Sequence, residues 1–160
     1  MSLVVPDLLD LLDRAAAEAA SLVASITVSI GGRVRRDDRL DRAALDAEQH
    51  VAHGMAWAAA YAETLRQTAA WARALDAQGR FGEAEALPAQ LLAHEYLSQL
   101  AGGIPMNQGE IFRPADVFHP AERMAHLVGR LRPGASQAAK FRIVELLEQA
   151  RGLPLSLIHI

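Results

Sequence analysis

His50 and His53 stand three residues apart and His94 is followed by Glu95, so helices at this spacing could bring imidazoles and carboxylates together around a metal. The pattern argues against it. Di-metal helix bundles take a Glu-x-x-His pair from each of two helices, whereas the residue three before His50 is Ala47 and the one three before His53 is His50 itself. Helix-surface or hydrogen-bonded histidines are therefore expected, and no metal ligand is assigned. Glu63, Glu83, Glu85, Glu95 and Glu110 are carboxylates without a readable partner, because a catalytic base is identified by burial and geometry rather than by residue type. Most are expected to be solvated. Glu110 alone sits in a glycine-bounded loop, where ordering the loop is its expected work, and no catalytic residue is assigned. Arg33, Arg35, Arg36, Arg39 and Arg42 form the densest positive cluster and could hold a cofactor phosphate, but Asp37, Asp38 and Asp41 interleave with them. A surface salt-bridge cluster is the expected outcome.

The elements that must position these groups read as helices. Pro6 suits a first helical turn, and leucines at 8, 9, 11 and 12 give an apolar face to a helix expected to run to about Val28, where Gly31-Gly32 should stop it. Residues 33–39 read as a charged turn whose Asp37 or Asp38 caps the next helix. From 38 to 78 no breaker appears, and Leu40, Ala44, Ala47, Val51, Met55, Ala58, Ala62, Leu65, Ala69 and Ala72 recur every three or four positions. Such a helix would be roughly 60 Å long. A neighbouring stripe of Gly54, Trp57, Tyr61, Thr68, Trp71 and Leu75 implies packing on two sides, with Trp57 and Trp71 largely buried. A third helix is expected over 83–100, with Pro88 kinking it or marking its start, followed by a loop over 101–114 and two shorter helices over 120–131 and 135–150. Ile104, Met106, Ile111 and Phe112 are apolar residues in that loop and suggest a docking surface.

Composition agrees with a single all-α domain. The chain has 160 residues, 51% of them hydrophobic, dominated by alanine and leucine, while aromatics are only 5%. A formal charge of -3 supplies no basic footprint for nucleic acid. The absence of cysteine excludes disulfides, thiolate metal sites and a cysteine nucleophile. Asp7, Asp10 and Asp13 stand where a secretory signal would be basic or apolar, and the most apolar stretch, 15–30, is interrupted by Glu18 and serines, so a cytoplasmic, non-membrane protein is expected. The last six residues, 155–160, match one reading frame of a common transposon-end sequencing adaptor and are expected to be an artefact, leaving a domain of 1–154.

Residues 47–117 resemble the C-terminal helical domain of the acyl-CoA dehydrogenase superfamily. The similarity is carried by Glu48-Gln49-His50-Val51-Ala52-His53-Gly54-Met55-Ala56-Trp57, Leu65-Arg66-Gln67, Gly79-Arg80-Phe81-Gly82-Glu83 and Glu95-Tyr96-Leu97-Ser98-Gln99-Leu100-Ala101-Gly102-Gly103-Ile104-Pro105-Met106. Gln99-x-x-Gly102-Gly103 resembles the Gln-x-x-Gly-Gly signature by which that domain approaches the flavin adenine dinucleotide (FAD) of a neighbouring subunit, so Gln99, Gly102 and Gly103 are the implied cofactor-binding residues. The family normally places this domain last. One branch carries a leading extension similar to it, and the Gly-Gly-Ile-Pro-Met-Asn-Gln-Gly-Glu-Ile loop resembles that extension. The resemblance implies a helical bundle around one long helix. In the intact enzyme it implies a carboxylate base, hydride transfer to FAD, a homo-oligomer and an electron-transferring flavoprotein as partner. No base carries over to this chain, because after Gly103 the sequence departs from the family's catalytic segment, and the flavin-binding β domain lies outside these residues. The chain by itself is thus expected to be a non-catalytic domain holding no flavin, packed on the remainder of its enzyme. The alternative is a stand-alone helical binding or scaffold protein.

Overall fold

A computed structural model of the chain describes residues 2–107, 109–117 and 122–150. They form six α-helices and two short antiparallel hairpins, an all-α architecture as the composition implied. The first helix, α1 (Leu8–Val34), starts two residues beyond Pro6, after Asp7 in the left-handed region at φ 55°, and passes straight through Gly31-Gly32. The expected stop at Val28 is wrong for a packing reason. Leu8, Leu11, Leu12, Ala15, Ala19, Leu22, Ile26, Ile30 and Val34 are buried at three- and four-residue intervals, so the stripe continues past the glycines. Two interior glycines cost about 1 kcal/mol each, less than burying Ile30 and Val34 returns.

Unbroken, α1 is long and apolar enough by length and composition to cross a membrane, with a mean hydropathy of 1.4 over its most apolar 18 residues, which the interruptions within 15–30 did not suggest. Its apolar stripe faces other helices of the bundle.

The charged turn after α1 is a hairpin of β1 (Arg35–Arg36) and β2 (Arg39–Leu40). Asp37 and Asp38 occupy its two central positions at φ 48° and 59°, the left-handed pair that a two-residue turn between twisted strands requires. Neither caps the next helix. That falls to Asp41, whose Oδ1 accepts from the Ala44 N–H at 3.1 Å at the start of α2 (Arg42–Ala47). The single helix expected over 38–78 is therefore two, since the chain turns at Glu48 before α3 (Gln49–Ala77). No residue type announces this break. Glu48 lies 3.5 Å from Arg33 at the end of α1, and Leu45, Val51 and Met55 pack against the core from either side of it.

At about 1.5 Å per residue α3 is roughly 44 Å long and remains the organising element. It runs antiparallel to α1, with Arg73 gripping Asp10 and Asp13 at 2.6 Å at one end and Met55 meeting Thr27 at the other. Its second neighbour is α4 (Glu83–Gly102). Pro88 lies inside α4 near its start, where its missing N–H leaves the Ala84 carbonyl without a helical partner. Gly82 precedes α4, and its N–H donates to the Glu85 carboxylate at 3.0 Å.

Residues 101–114 are not an irregular loop. Strands β3 (Ile104–Asn107) and β4 (Glu110–Phe112) pair antiparallel, Ile104 opposite Phe112 and Pro105 opposite Ile111. Period-two alternation then sends Ile104 and Phe112 into the core at 0% and 1% exposure and turns Ile111 outward at 40%. The docking surface expected of this segment is accordingly wrong for its two main apolar residues. Two further helices, α5 (Glu122–Leu131) and α6 (Gln137–Gln149), are joined by a 3-10 turn over Arg132–Ala135 that holds Pro133-Gly134. The start of the helix expected at Pro120, and the adaptor-like residues 155–160, lie outside the described residues.

Candidate functional site

The C-terminal end of α4 brings the three implied cofactor residues together. Gln99 is half-buried, and its Oε1 accepts from the Tyr61 hydroxyl at 2.7 Å. Tyr61 is itself stacked on Tyr96 with ring centroids 4.3 Å apart and planes 14° from parallel. Burial, and then the neighbouring Tyr96, raise the Tyr61 pKa above its ordinary 10.0, so the phenol stays neutral and donating. This orients the Gln99 carboxamide and leaves its nitrogen as the donor available to a ligand.

Gly103 adopts φ 145°, a conformation L side chains avoid, and its N–H donates to the Gln99 carbonyl at 2.7 Å. A Cβ on Gly103 would meet Ile111 at 2.8 Å and the Arg113 stem at 3.4 Å, whereas one on Gly102 would meet nothing within 4 Å. A helix C-terminus presents carbonyls and the negative end of the helix dipole, which by itself disfavours a phosphate. The Arg113 stem passes beside Gly103, and this exposed arginine has no ion pair among the described residues. Sequence reasoning passed over Arg113; the only signal was its hairpin register, one residue beyond Phe112.

Along α3 the aromatic stripe continues, with Trp57 edge-on to Tyr61 at 6.3 Å and tilted beside His53 at 6.5 Å. The Trp57 indole N–H donates to His53 Nε2 at 3.1 Å. Trp57 is 37% exposed and Trp71 half-buried, so the expected burial of the pair fails for Trp57, which lies on the rim of the helix interface. His50 Nδ1 lies 2.8 Å from the Glu110 carboxylate on β4, and Gln49, His50, His53 and Glu110 line a surface hollow of about 420 Å³. Glu110 thus ties the hairpin to α3. Among the described residues no group of three or more His, Cys, Asp or Glu is placed to hold a metal.

Beneath the same hairpin, Gly54 of α3 faces the Phe112 ring so closely that a Cβ at position 54 would fall 2.1 Å from its Cγ. At the opposite end of the bundle, Gln90 is fully buried. Its Oε1 accepts from the Val5 N–H at 2.9 Å, while its Nε2 donates to the Leu3 carbonyl at 3.3 Å and the Leu131 carbonyl at 3.4 Å. Gly134 lies against it, with room for no Cβ. His94 lines a cavity of about 800 Å³ there with Leu3, Glu95, Arg132 and Ser136. Its Nδ1 is buried without a partner among the described residues. Burial chiefly, opposed by Glu95 and reinforced by Arg132 and Lys140, lowers the His94 pKa below 6.5 and keeps the imidazole neutral.

The remaining acidic candidates are scattered and solvated, as expected, each beside a cationic side chain. Glu63 bonds Arg66 and Gln67, which hold its pKa down at about 2. Glu83 is gripped by Arg142, which lowers its pKa as well, and Glu95 lies 4.0 Å from Lys140. In the arginine cluster, Arg33 pairs with Glu48. None of these groups is gathered with another into a reactive constellation.

No protein-family profile matches the chain. Among characterised proteins it is 40% identical over 150 residues to a (2S)-methylsuccinyl-CoA dehydrogenase of Cereibacter sphaeroides, an alignment that covers 91% of this chain. It spans 27% of that relative, so the chain corresponds to about a quarter of the protein it matches. The chain, predominantly helical over its described residues and alike over nine-tenths of its length, is therefore a relative of one portion of a (2S)-methylsuccinyl-CoA dehydrogenase.

Proposed function

We propose that this chain is a non-catalytic helical domain, the N-terminal extension of a FAD-dependent acyl-CoA dehydrogenase of the methylsuccinyl-CoA type. The intact enzyme would oxidise an acyl-CoA to its 2,3-enoyl-CoA in the ethylmalonyl-CoA pathway. The observation that carries the reading is the 40% identity across nearly the whole chain. The site supports it from another direction. A base for α-proton abstraction should be buried and poised near neutral pH, whereas Glu63, Glu83 and Glu95 are surface carboxylates held by cations.

In the intact enzyme FAD, when bound, accepts the hydride. Gln99 would offer its amide nitrogen, Gly102 an open backbone, and Arg113, whose stem lies beside Gly103, a positive charge, a set suited to the edge of a nucleotide rather than to its full enclosure. The homo-oligomer, the electron-transferring flavoprotein and a cytoplasmic location belong to this same proposal. Reading the genomic sequence past residue 154 tests it. An acyl-CoA dehydrogenase frame with a flavin-binding β domain is expected, and a stop codon shortly after Gly152 would instead favour a stand-alone helical binding protein.

A further inference from the structure

Helix α6 buries only Ala139 fully, yet it carries Phe141, Val144 and Leu147 exposed at 63%, 51% and 53%. Spaced by three, they fall within about 120° of one another on the helix and form one ridge. Ile143 and Leu146 of the same helix are half-buried. Lys140 and Glu148 fall between the three ridge residues on the same face, so the ridge is a line of exposed apolar side chains flanked by one charge of each sign. The helix is fixed in place by Arg142 on Glu83 at 2.8 Å and Lys140 near Glu95, so the ridge is presented on a pinned element.

We infer that the Phe141, Val144 and Leu147 ridge of α6 is the surface on which the remainder of the parent polypeptide docks. This inference rests on the proposed function and names the contact surface within it. Two observations select the occupant. The matched relative is nearly four times the length aligned here, so a large partner in the same polypeptide is at hand. The three side chains together expose on the order of 300 Å², far short of the roughly 800 Å² per partner of a stable free-standing interface. A second copy would have to bind through too little area, whereas a tethered partner meets the ridge at high effective concentration.

The chain contains no cysteine, so a single Val144→Cys variant reports on the ridge without background from the domain itself. Its maleimide labelling rate is measured in the 160-residue chain and, by peptide mapping, in the full-length gene product, each relative to the same protein unfolded. The inference expects rapid labelling in the short chain and labelling at least ten-fold slower in the full-length protein. Equal rates in the two would overturn it, and so would concentration-dependent protection of the short chain with a dimer in sedimentation. Acyl-CoA dehydrogenase activity of the full-length protein is assayed alongside. An active full-length protein whose introduced thiol labels freely refutes the docking surface alone, whereas a protected thiol in an inactive, flavin-free protein refutes the proposed function alone.

Discussion

Gly54→Ala is a substitution that an ordinary helix would welcome, since alanine in a helix interior is worth about 1 kcal/mol over glycine. Here the added methyl would sit 2.1 Å from Phe112 Cγ, 2.3 Å from Cδ2 and 2.6 Å from Cβ, all belonging to a side chain 1% exposed with nowhere to swing. Overpacking of that kind costs typically about 1–3 kcal/mol. Set against the propensity gain, a net loss of up to about 2 kcal/mol is expected, or a Tm lower by up to about 8 °C at the scaling for a chain of this size. In a Phe112→Ala background, itself destabilised by about 3–5 kcal/mol, two of the three clashing atoms are gone and the emptied site lets the third yield. There Gly54→Ala should be neutral or stabilising. Urea denaturation of the four proteins measures the cycle, and the expected coupling is about 1–3 kcal/mol. A Gly54→Ala protein more stable than the parent, or the same loss in both backgrounds, would refute the packing of the hairpin on α3.

Gln90→Leu should cost about 2–4 kcal/mol, because it strands the Val5 N–H and two carbonyls at the base of the bundle; amide exchange at Val5 should rise in step with the lost stability. Trp57→Ala should cost only about 1 kcal/mol, well below a core tryptophan, and Trp57 should be open to acrylamide quenching. His94 has a folded-state pKa below its unfolded 6.5, so the unfolded chain takes up the proton first and stability falls as pH drops below about 6.5. His94→Gln should flatten that part of a denaturation profile taken between about pH 7.5 and pH 5.5, and an unchanged slope would place the acid sensitivity elsewhere.

How much of this was legible in the sequence differs by element. The buried stripe of α3 from Ala58 to Ala72 follows directly from its three-and-four spacing. The two hairpins were hidden for different reasons. Asp37-Asp38 supports a left-handed turn only once the strands on either side demand it, and the alternation of Ile104 and Phe112 is interrupted by a bulge near Met106 and by Pro105 on a strand edge. Gly54 was the best available clue, an isolated glycine within a helical pattern that marks close approach of another segment, but nothing local named Phe112 as its partner. At the site, Gln99 and the two glycines were readable as a motif. The Tyr61 bond that orients Gln99 spans 38 residues and the buried Gln90 clamp up to 87, contacts that only the assembled bundle supplies.

The most direct test of the central claim is the flavin content and turnover of the purified 160-residue chain. After desalting, it should fold as a helical protein by circular dichroism, show no flavin absorption band, and turn over no acyl-CoA with an artificial electron acceptor. A stoichiometric flavin band, or measurable acyl-CoA oxidation by this chain alone, would contradict its assignment as a non-catalytic domain.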